Sequence, residues 1–249
     1  MTHKPTRPRG FTLVELLVVI VIIGILAALI TPAAIAALRA AQRAAIKAEI
    51  EAMHGGIEAY RNKYGSYPPS NSAQLKAHLK QVFPNANTTD IDGMPSSLTP
   101  AEILVLCLKG WGTDKRNPLN GTDRDNFFTF KPDQLVSTTN GQSYTAPKAL
   151  NSFYVYFNTS RYQKSNSSDS FTVPSGNGTG GPVYPYLTAT GTPNTYVNPQ
   201  SFQIICAGLD GDFGAGSNQK IYPTGTNYAG GDNDNLTNFS ANQLGDDRP

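Results

Sequence analysis

The sequence predicts an α+β fold in which a long N-terminal α-helix packs on a small antiparallel β-sheet domain with long loops. Three observations lead to this prediction. The chain of 249 residues opens with a basic segment and a long apolar run. Apolar residues then recur with helical spacing. The remainder contains most of the 23 Gly and 18 Pro and several short aromatic or β-branched segments, which is typical of a loop-rich sheet domain.

The apolar run extends from Leu13 to Ile30, and Glu15 is its only strongly polar residue. As a helix it spans about 27 Å, close to the hydrocarbon thickness of a bilayer. Residues 1–10 contain three basic residues and no acid, which predicts that this end stays cytoplasmic and the rest is exported. We therefore expect a transmembrane helix over residues 11–32.

A cleaved secretory signal is the obvious alternative to a membrane anchor. The apolar run is long for such a signal, and it contains a carboxylate. An acid at the centre of a membrane helix costs about 2.5–3.5 kcal/mol, and an isolated anchor gains nothing in return. Either Glu15 reaches towards the lipid headgroups, or it has a partner in the membrane.

After Pro32 the pattern becomes amphipathic, with apolar positions from Ile35 to Tyr64. We expect one helix from about Thr12 to Lys63, whose second part, residues 33–64, packs on its own domain. The charged residues between the apolar positions predict a solvated face, made of Arg39, Arg43, Lys47, Glu49, Glu51 and Arg61.

Residues 65–249 form the predicted extracytoplasmic α+β domain. A short helix is expected over Asn71–Val82 and a second over Leu98–Gly112. The second has a capping box, with Thr99 as N-cap and Glu102 three residues later. Gly110 is expected to end it and Trp111 to lie in the core.

Three segments are predicted strands of an antiparallel sheet: Phe127–Phe130, Ser152–Asn158 and Ser201–Gly208. The intervening region 159–200 is dominated by Ser, Gly, Thr, Pro and Asn and is predicted to be rich in loops. Cys107 and Cys206 are consistent with one extracytoplasmic disulfide and equally with two buried thiols.

The segment from Arg9 to Pro32, "RGFTLVELLVVIVIIGILAALITP", resembles the class III signal of type IV pilins and type II secretion pseudopilins. The resemblance implies that residues 1–10 are a prepilin leader, removed by a prepilin peptidase after Gly10. It implies N-methylation of the new first residue, Phe11. Glu15 matches the acid that meets the Phe11 amine of a neighbouring subunit during filament assembly, and Pro32 matches the proline after the membrane span.

The end of the long helix, with Tyr64 followed by Tyr67-Pro68, is similar to the major G-type pseudopilin. By this resemblance the chain is a type II secretion pseudopilin, a non-enzymatic subunit of a periplasmic filament that drives protein secretion. It would be a single-pass protein of the bacterial inner membrane. Its partners would be copies of itself, minor pseudopilins and the inner-membrane secretion platform. The alternative within the same class is a type IV pilin for adhesion, motility or DNA uptake.

Two aspartate-rich segments lie near the C-terminus, "ICAGLDGDFGAG" and "GGDNDNLTNFS". Carboxylates on glycine-rich loops suit calcium, although the spacing is not that of an EF-hand. From composition alone a solvated acidic loop is the favoured interpretation. The pattern resembles the calcium loop of the G-type pseudopilin, with three departures: Cys206, Asn235 and the roughly 20 residues between the two halves. It implies calcium held by Leu209, Asp210, Asp212, Asp232, Asp234 and Asn235.

The sequence contains little that would indicate another class of function. Outside the first ten residues the charge is close to neutral and no basic cluster is present, so no nucleic-acid partner is expected. The three histidines are His3, His54 and His78, and no hydrolase, zinc-protease or phosphate-loop motif occurs. We expect no enzyme; a membrane-tethered binding or catalytic domain is the alternative from a different class.

Overall fold

The computed structural model describes residues 10–121, 123–147, 149–159, 171–172, 182–191, 194–214 and 220–249, and only the backbone of 149–151, 171–172 and 182. The chain divides into two compact units, Met1–Ala41 and Gln42–Pro249. The helix α1 (Leu13–Tyr64) contributes its first part to one unit and its second part to the other.

In the first unit α1 continues through Pro32 without a break. A proline removes one backbone donor from a helix interior. Beside it, the Thr31 hydroxyl donates to the carbonyl of Ala27 at 2.7 Å. The apolar side chains from Phe11 to Leu38 are exposed, and an 18-residue window of α1 has a mean hydropathy of 3.2. The helix is therefore long and apolar enough to cross a membrane.

Among its described residues, the second unit joins the rest of α1 to three short α-helices and nine strands. The helices are α2 (Ser72–Val82), α3 (Thr88–Asp92) and α4 (Pro100–Leu108). The strands are β1 (Leu135–Ser137), β2 (Gln142–Ala146), β3 (Ala149–Asn158), β4 (Phe171–Thr172), β5 (Pro182–Val183), β6 (Leu187–Ala189), β7 (Thr195–Tyr196), β8 (Phe202–Cys206) and β9 (Leu236–Thr237).

Five strands form an antiparallel sheet in the order β1-β2-β3-β8-β9. In its centre Tyr154 pairs with Cys206, and at its edge Cys206 pairs with Leu236. β4 pairs with β5, and β6 with β7, as separate two-stranded ribbons. The long helix and this antiparallel sheet confirm the predicted α+β fold.

Side chains alternate across the sheet, and both faces are buried. From β3, Tyr154 and Tyr156 pack with Ile50 and Met53 of α1 and with residues of α4. Phe153, Val155 and Phe157 point to the opposite face and pack with residues of the C-terminal loops, including Phe213 and Leu244. The sheet therefore connects the amphipathic part of α1 to those loops.

The capping box of α4 forms as predicted, with Glu102 and Thr99 each accepting from the other's backbone N–H, at 2.6 and 3.2 Å. The helix ends at Leu108 with Lys109 as its C-cap, so Gly110 ends it as predicted. Gly110 follows in the left-handed region, with φ of 72°. The predicted core position of Trp111 is confirmed: it is fully buried, and its indole N–H donates to the Tyr60 hydroxyl at 3.2 Å.

The predicted strand at Phe127–Phe130 is wrong. The backbone N–H groups of Phe127 and Phe128 both donate to the carbonyl of Leu108, at 2.9 and 3.3 Å. These bonds tie the start of the segment to the end of α4, so these two amides are not available for a sheet ladder. Its aromatic rings pack instead, Phe128 and Phe130 against Tyr144.

Two further expectations concern the domain interior. Cys107 and Cys206 are both free and buried, so the buried-thiol alternative holds. Much of the loop-rich region 159–200 lies outside the described residues; its described parts include the short strands β4 to β7.

Candidate functional site

The carboxylate of Glu15 closes a capping box at the start of α1. Its Oε2 accepts from the backbone N–H of Thr12 at 2.9 Å and from the Thr12 hydroxyl at 2.8 Å. In return the Glu15 N–H donates to the Thr12 hydroxyl at 3.2 Å. In the single chain the charge is therefore held by local donors on the helix end, which otherwise has unpaired N–H groups.

The other predicted assembly residues lie along the same unit. Gly10 precedes the helix in exposed backbone, and the Phe11 side chain is exposed. The junction between them is therefore exposed in the single chain. Pro32 lies inside α1, more than four turns from Glu15.

One buried acid fixes the amphipathic part of α1 to the sheet. Glu49, predicted on the solvated face, is only 7% exposed, which corrects that prediction. Its carboxylate accepts from the Tyr154 hydroxyl at 2.8 Å, the Gln134 amide at 3.0 Å and the Tyr144 hydroxyl at 3.3 Å. The Lys131 ammonium lies 2.7 Å away. The carboxylate replaces its lost hydration with these donors, which makes burial tolerable.

The two aspartate-rich segments come together although about twenty residues separate them. Asp234 Oδ2 accepts from the backbone N–H groups of Leu209 and Asp210, at 2.6 and 3.1 Å. Gly208, just before, has φ of 66°, and a Cβ there would lie 2.2 Å from the Asp234 carbonyl oxygen. The contact therefore requires a glycine.

Asp210 and Asp212 shape the turn after β8. Asp210 Oδ1 accepts from the Asp212 N–H at 2.8 Å, and Asp212 Oδ1 accepts from the Gly214 N–H at 2.9 Å. Burial raises the pKa of Asp210, and the Asp234 carboxylate nearby adds to this effect. These carboxylates act as caps of backbone amides in this loop.

Asp232 is fully buried and has a different environment. Its Oδ1 accepts from the Lys220 ammonium at 2.7 Å and from the Tyr186 hydroxyl at 2.6 Å, while Oδ2 accepts from the Ala229 N–H at 2.7 Å. Burial raises the pKa of Asp232, and the Lys220 ammonium opposes the rise. The side-chain amide of Asn235, also fully buried, donates to the Tyr186 hydroxyl at 2.9 Å.

The predicted calcium ligands can be compared with what calcium needs. Carboxylate and carbonyl oxygens are suitable donors, and Asn235 Oδ1 is buried without a hydrogen-bond partner. Against calcium, each of the four carboxylates already accepts hydrogen bonds, and the charge of Asp232 is balanced by Lys220. Within the described ranges no three His, Cys, Asp or Glu side chains are grouped to hold a metal ion. Calcium binding stays a prediction, and the arrangement at Asp232 fits an ammonium ion better than calcium.

Sequence reasoning missed several of these contacts. The pattern Thr12-x-x-Glu15 before an apolar run is a capping-box signal and was available. Lys220 is a single basic residue between the two aspartate-rich segments, which was the available signal for its role. No local pattern distinguishes Glu49 from its exposed neighbours, because its donors come from distant segments.

The comparison with known protein families gives a match, which lies at the N-terminus. Residues 6–31 match the family model described as the prokaryotic N-terminal methylation motif. This motif is the class III signal of prepilin-like proteins, and it implies processing by a prepilin peptidase and pilus-like assembly. Proteins with this motif are structural. The apolar part of α1 is compatible with single-pass anchoring in a membrane. Neither the curated proteins nor the solved structures gave a match.

Proposed function

We propose that this chain, which carries the methylation motif of prepilin-like proteins, is a type II secretion pseudopilin that polymerises into a periplasmic filament and drives protein secretion. The observation that carries the proposal is the motif at residues 6–31 with one carboxylate, Glu15, in an otherwise apolar helix. The motif supports a type IV pilin-like or pseudopilin protein in general. The secretion system, the periplasmic location of the domain and the partners are the finer part of the proposal.

Glu15 provides the assembly step. Before processing its carboxylate accepts hydrogen bonds from Thr12. Cleavage after Gly10 frees the amine of Phe11, which is positively charged at neutral pH. In a filament core of low dielectric, this amine on one subunit and Glu15 on its neighbour attract each other strongly. Pairing offsets the desolvation of both charges, so subunits pack only in the register that forms the pair.

The second unit supports the secretion subtype through two features. Helix α1 ends at Tyr64 and Tyr67-Pro68 follow, as in the G-type resemblance. The two halves of the aspartate-rich pattern are distant in sequence, yet Asp234 is hydrogen-bonded to the backbone of Leu209 and Asp210. A domain that brings these segments together suits the G-type subunit, which carries both.

The partners follow from the same proposal. A prepilin peptidase cleaves the leader, copies of the chain build the filament, and minor pseudopilins and the inner-membrane platform start and extend it. The apolar part of α1 holds the subunit in the inner membrane until it joins the filament. The protein itself acts by assembly, with no catalytic step.

The test compares cells with and without the gene. We expect the deletion to retain normally secreted proteins in the periplasm, and we expect unmodified cells to carry no surface filaments labelled by an antibody against the second unit. Re-expression of the full chain should restore secretion. Labelled surface filaments, with secretion intact in the deletion, would assign the chain to a type IV pilus instead.

A further inference from the structure

Lys220 is the most buried cation in the part of the chain that the structure describes. Its side chain is 2% exposed. The ammonium donates to the carbonyls of Phe213 and Gly214, at 2.9 and 2.6 Å, and to Asp232 Oδ1 at 2.7 Å. A lysine ammonium has three N–H donors, so these three acceptors use all of them.

The acceptors around Lys220 are those that a hard metal cation prefers. They are one carboxylate and two backbone carbonyls, and they come from the two loops that carry the predicted calcium ligands. Asp232 is fully buried, and an unpaired carboxylate in such a place is very costly. A positive charge must therefore lie beside Asp232, and in this chain the Lys220 ammonium supplies it.

A closed hydrogen-bond network extends from this ion pair. The Tyr186 hydroxyl donates to Asp232 at 2.6 Å and accepts from the Asn235 amide at 2.9 Å. That amide also approaches the Phe213 carbonyl, at 3.5 Å, which is one of the acceptors of Lys220. The network joins the segment before β6, the turn after β8 and the segment before β9, and all of its side chains are buried.

We propose that the Lys220 ammonium is the resident cation of the C-terminal loops, held by Asp232, one of the six predicted calcium ligands, and by the carbonyls of Phe213 and Gly214. The fold of these loops then needs no metal ion. Gly214 supports the arrangement, because a Cβ at this position would lie 2.2 Å from Asp232 Oδ2. The neutral Asn235 Oδ1 remains as an acceptor without a partner, and a buried water is a suitable donor for it. The proposal is independent of whether the filament is a pseudopilus or a pilus.

The first experiment uses the unmodified full chain in detergent micelles. Its melting temperature is followed by near-ultraviolet circular dichroism, with excess calcium and with excess chelator. A ligand that binds only the native state raises the melting temperature by mass action. We expect the two melting temperatures to agree within about 1 °C. A clear gain with calcium that the chelator removes would overturn the proposal in favour of the calcium site.

The second experiment removes the charge with Lys220→Met, which keeps most of the side-chain length. The matched control is Lys80→Met, because Lys80 pairs with Asp92 at the same 2.7 Å but at an exposed position. We expect K220M to lower the melting temperature by on the order of 10 °C and K80M by less than about 2 °C. Equal shifts for the two variants would overturn the proposal.

A double variant keeps the test decisive if K220M folds poorly. In K220M with Asp232→Asn neither partner leaves a buried charge unpaired. We expect the double variant to regain most of the loss in melting temperature. A double variant no more stable than K220M would assign the loss to side-chain packing and would contradict the role of Lys220 as a cation.

Discussion

Replacing Glu49 with Leu tests how α1 is fixed to its domain. The substitution keeps a side chain of similar size but removes both acceptor oxygens. The Tyr154 hydroxyl, at 2.8 Å, and the Gln134 amide, at 3.0 Å, are the buried donors closest to the carboxylate. Burial raises the pKa of Tyr154, so its hydroxyl stays protonated and needs an acceptor.

The magnitude follows from these donors. A buried donor left without a partner costs about 1–3 kcal/mol. The Lys131 ammonium contributes little, because its side chain is 58% exposed. Apolar burial of the leucine returns part of the loss, so we expect the free energy of unfolding to fall by about 3 kcal/mol. For a chain of this size the melting temperature should fall by roughly 6–12 °C.

The assay is thermal unfolding of the full chain in detergent micelles, compared with Glu51→Leu. Glu51 lies on the same helix, is exposed and pairs with Lys47 at 3.1 Å. Its replacement should change the free energy of unfolding by no more than about 0.5 kcal/mol. If E49L and E51L melt together, the argument that buried hydrogen bonds to Glu49 fix the helix is refuted.

Two further predictions concern pH and backbone strain. Burial lowers the pKa of His78 in the folded chain, so the unfolded chain binds the proton first as pH falls. The contribution of His78 to stability is therefore full above the pKa of an unfolded histidine, about 6.5. It is lost as pH drops from there towards the lower pKa of His78 in the folded chain. Melting temperatures between about pH 7.5 and 5.5 should fall less steeply in His78→Gln, and equal slopes would contradict this assignment. Gly214→Ala should lower the free energy of unfolding by more than about 2 kcal/mol, because φ is 71° and a Cβ would lie against Asp232. The control, Gly230→Ala, has open space around it and should change this free energy little. Equal unfolding free energies for the two variants would argue against a tight turn at Gly214.

Local patterns in the sequence predicted much of the fold. The helix α1, the capping box of α4 and the central strands β3 and β8 each carry a signal within a few residues of chain. Periodicity and capping are local effects, and here tertiary contacts reinforce them. The methylation motif at residues 6–31 is also local, which is why the N-terminal site was accessible to sequence reasoning.

The missed features depend on distant partners. Phe127–Phe130 has strand-like composition, but its amides donate to the end of α4. Glu49 reads as one more charged residue on a helix, because its donors lie 82 to 105 residues away. Lys220 was missed for the same reason, because the burial of its partner Asp232 depends on contacts that only the folded chain makes.

The role of Glu15 in assembly is tested by Glu15→Ala in the full chain, with filaments and membrane insertion measured in the same cells. Two controls separate other roles of the carboxylate. Thr12→Val removes the capping hydroxyl and keeps the acid, a change worth about 1 kcal/mol at a helix end. Glu51→Ala removes an acid from the same helix outside the apolar segment.

We expect E15A to stay in the membrane fraction as the unmodified chain does, since an apolar helix without its acid inserts at lower cost. We expect E15A to yield no filaments that sediment after shearing, while Thr12→Val and Glu51→Ala still yield them. Filaments from E15A at the level of the unmodified chain would contradict the claim that Glu15 directs assembly.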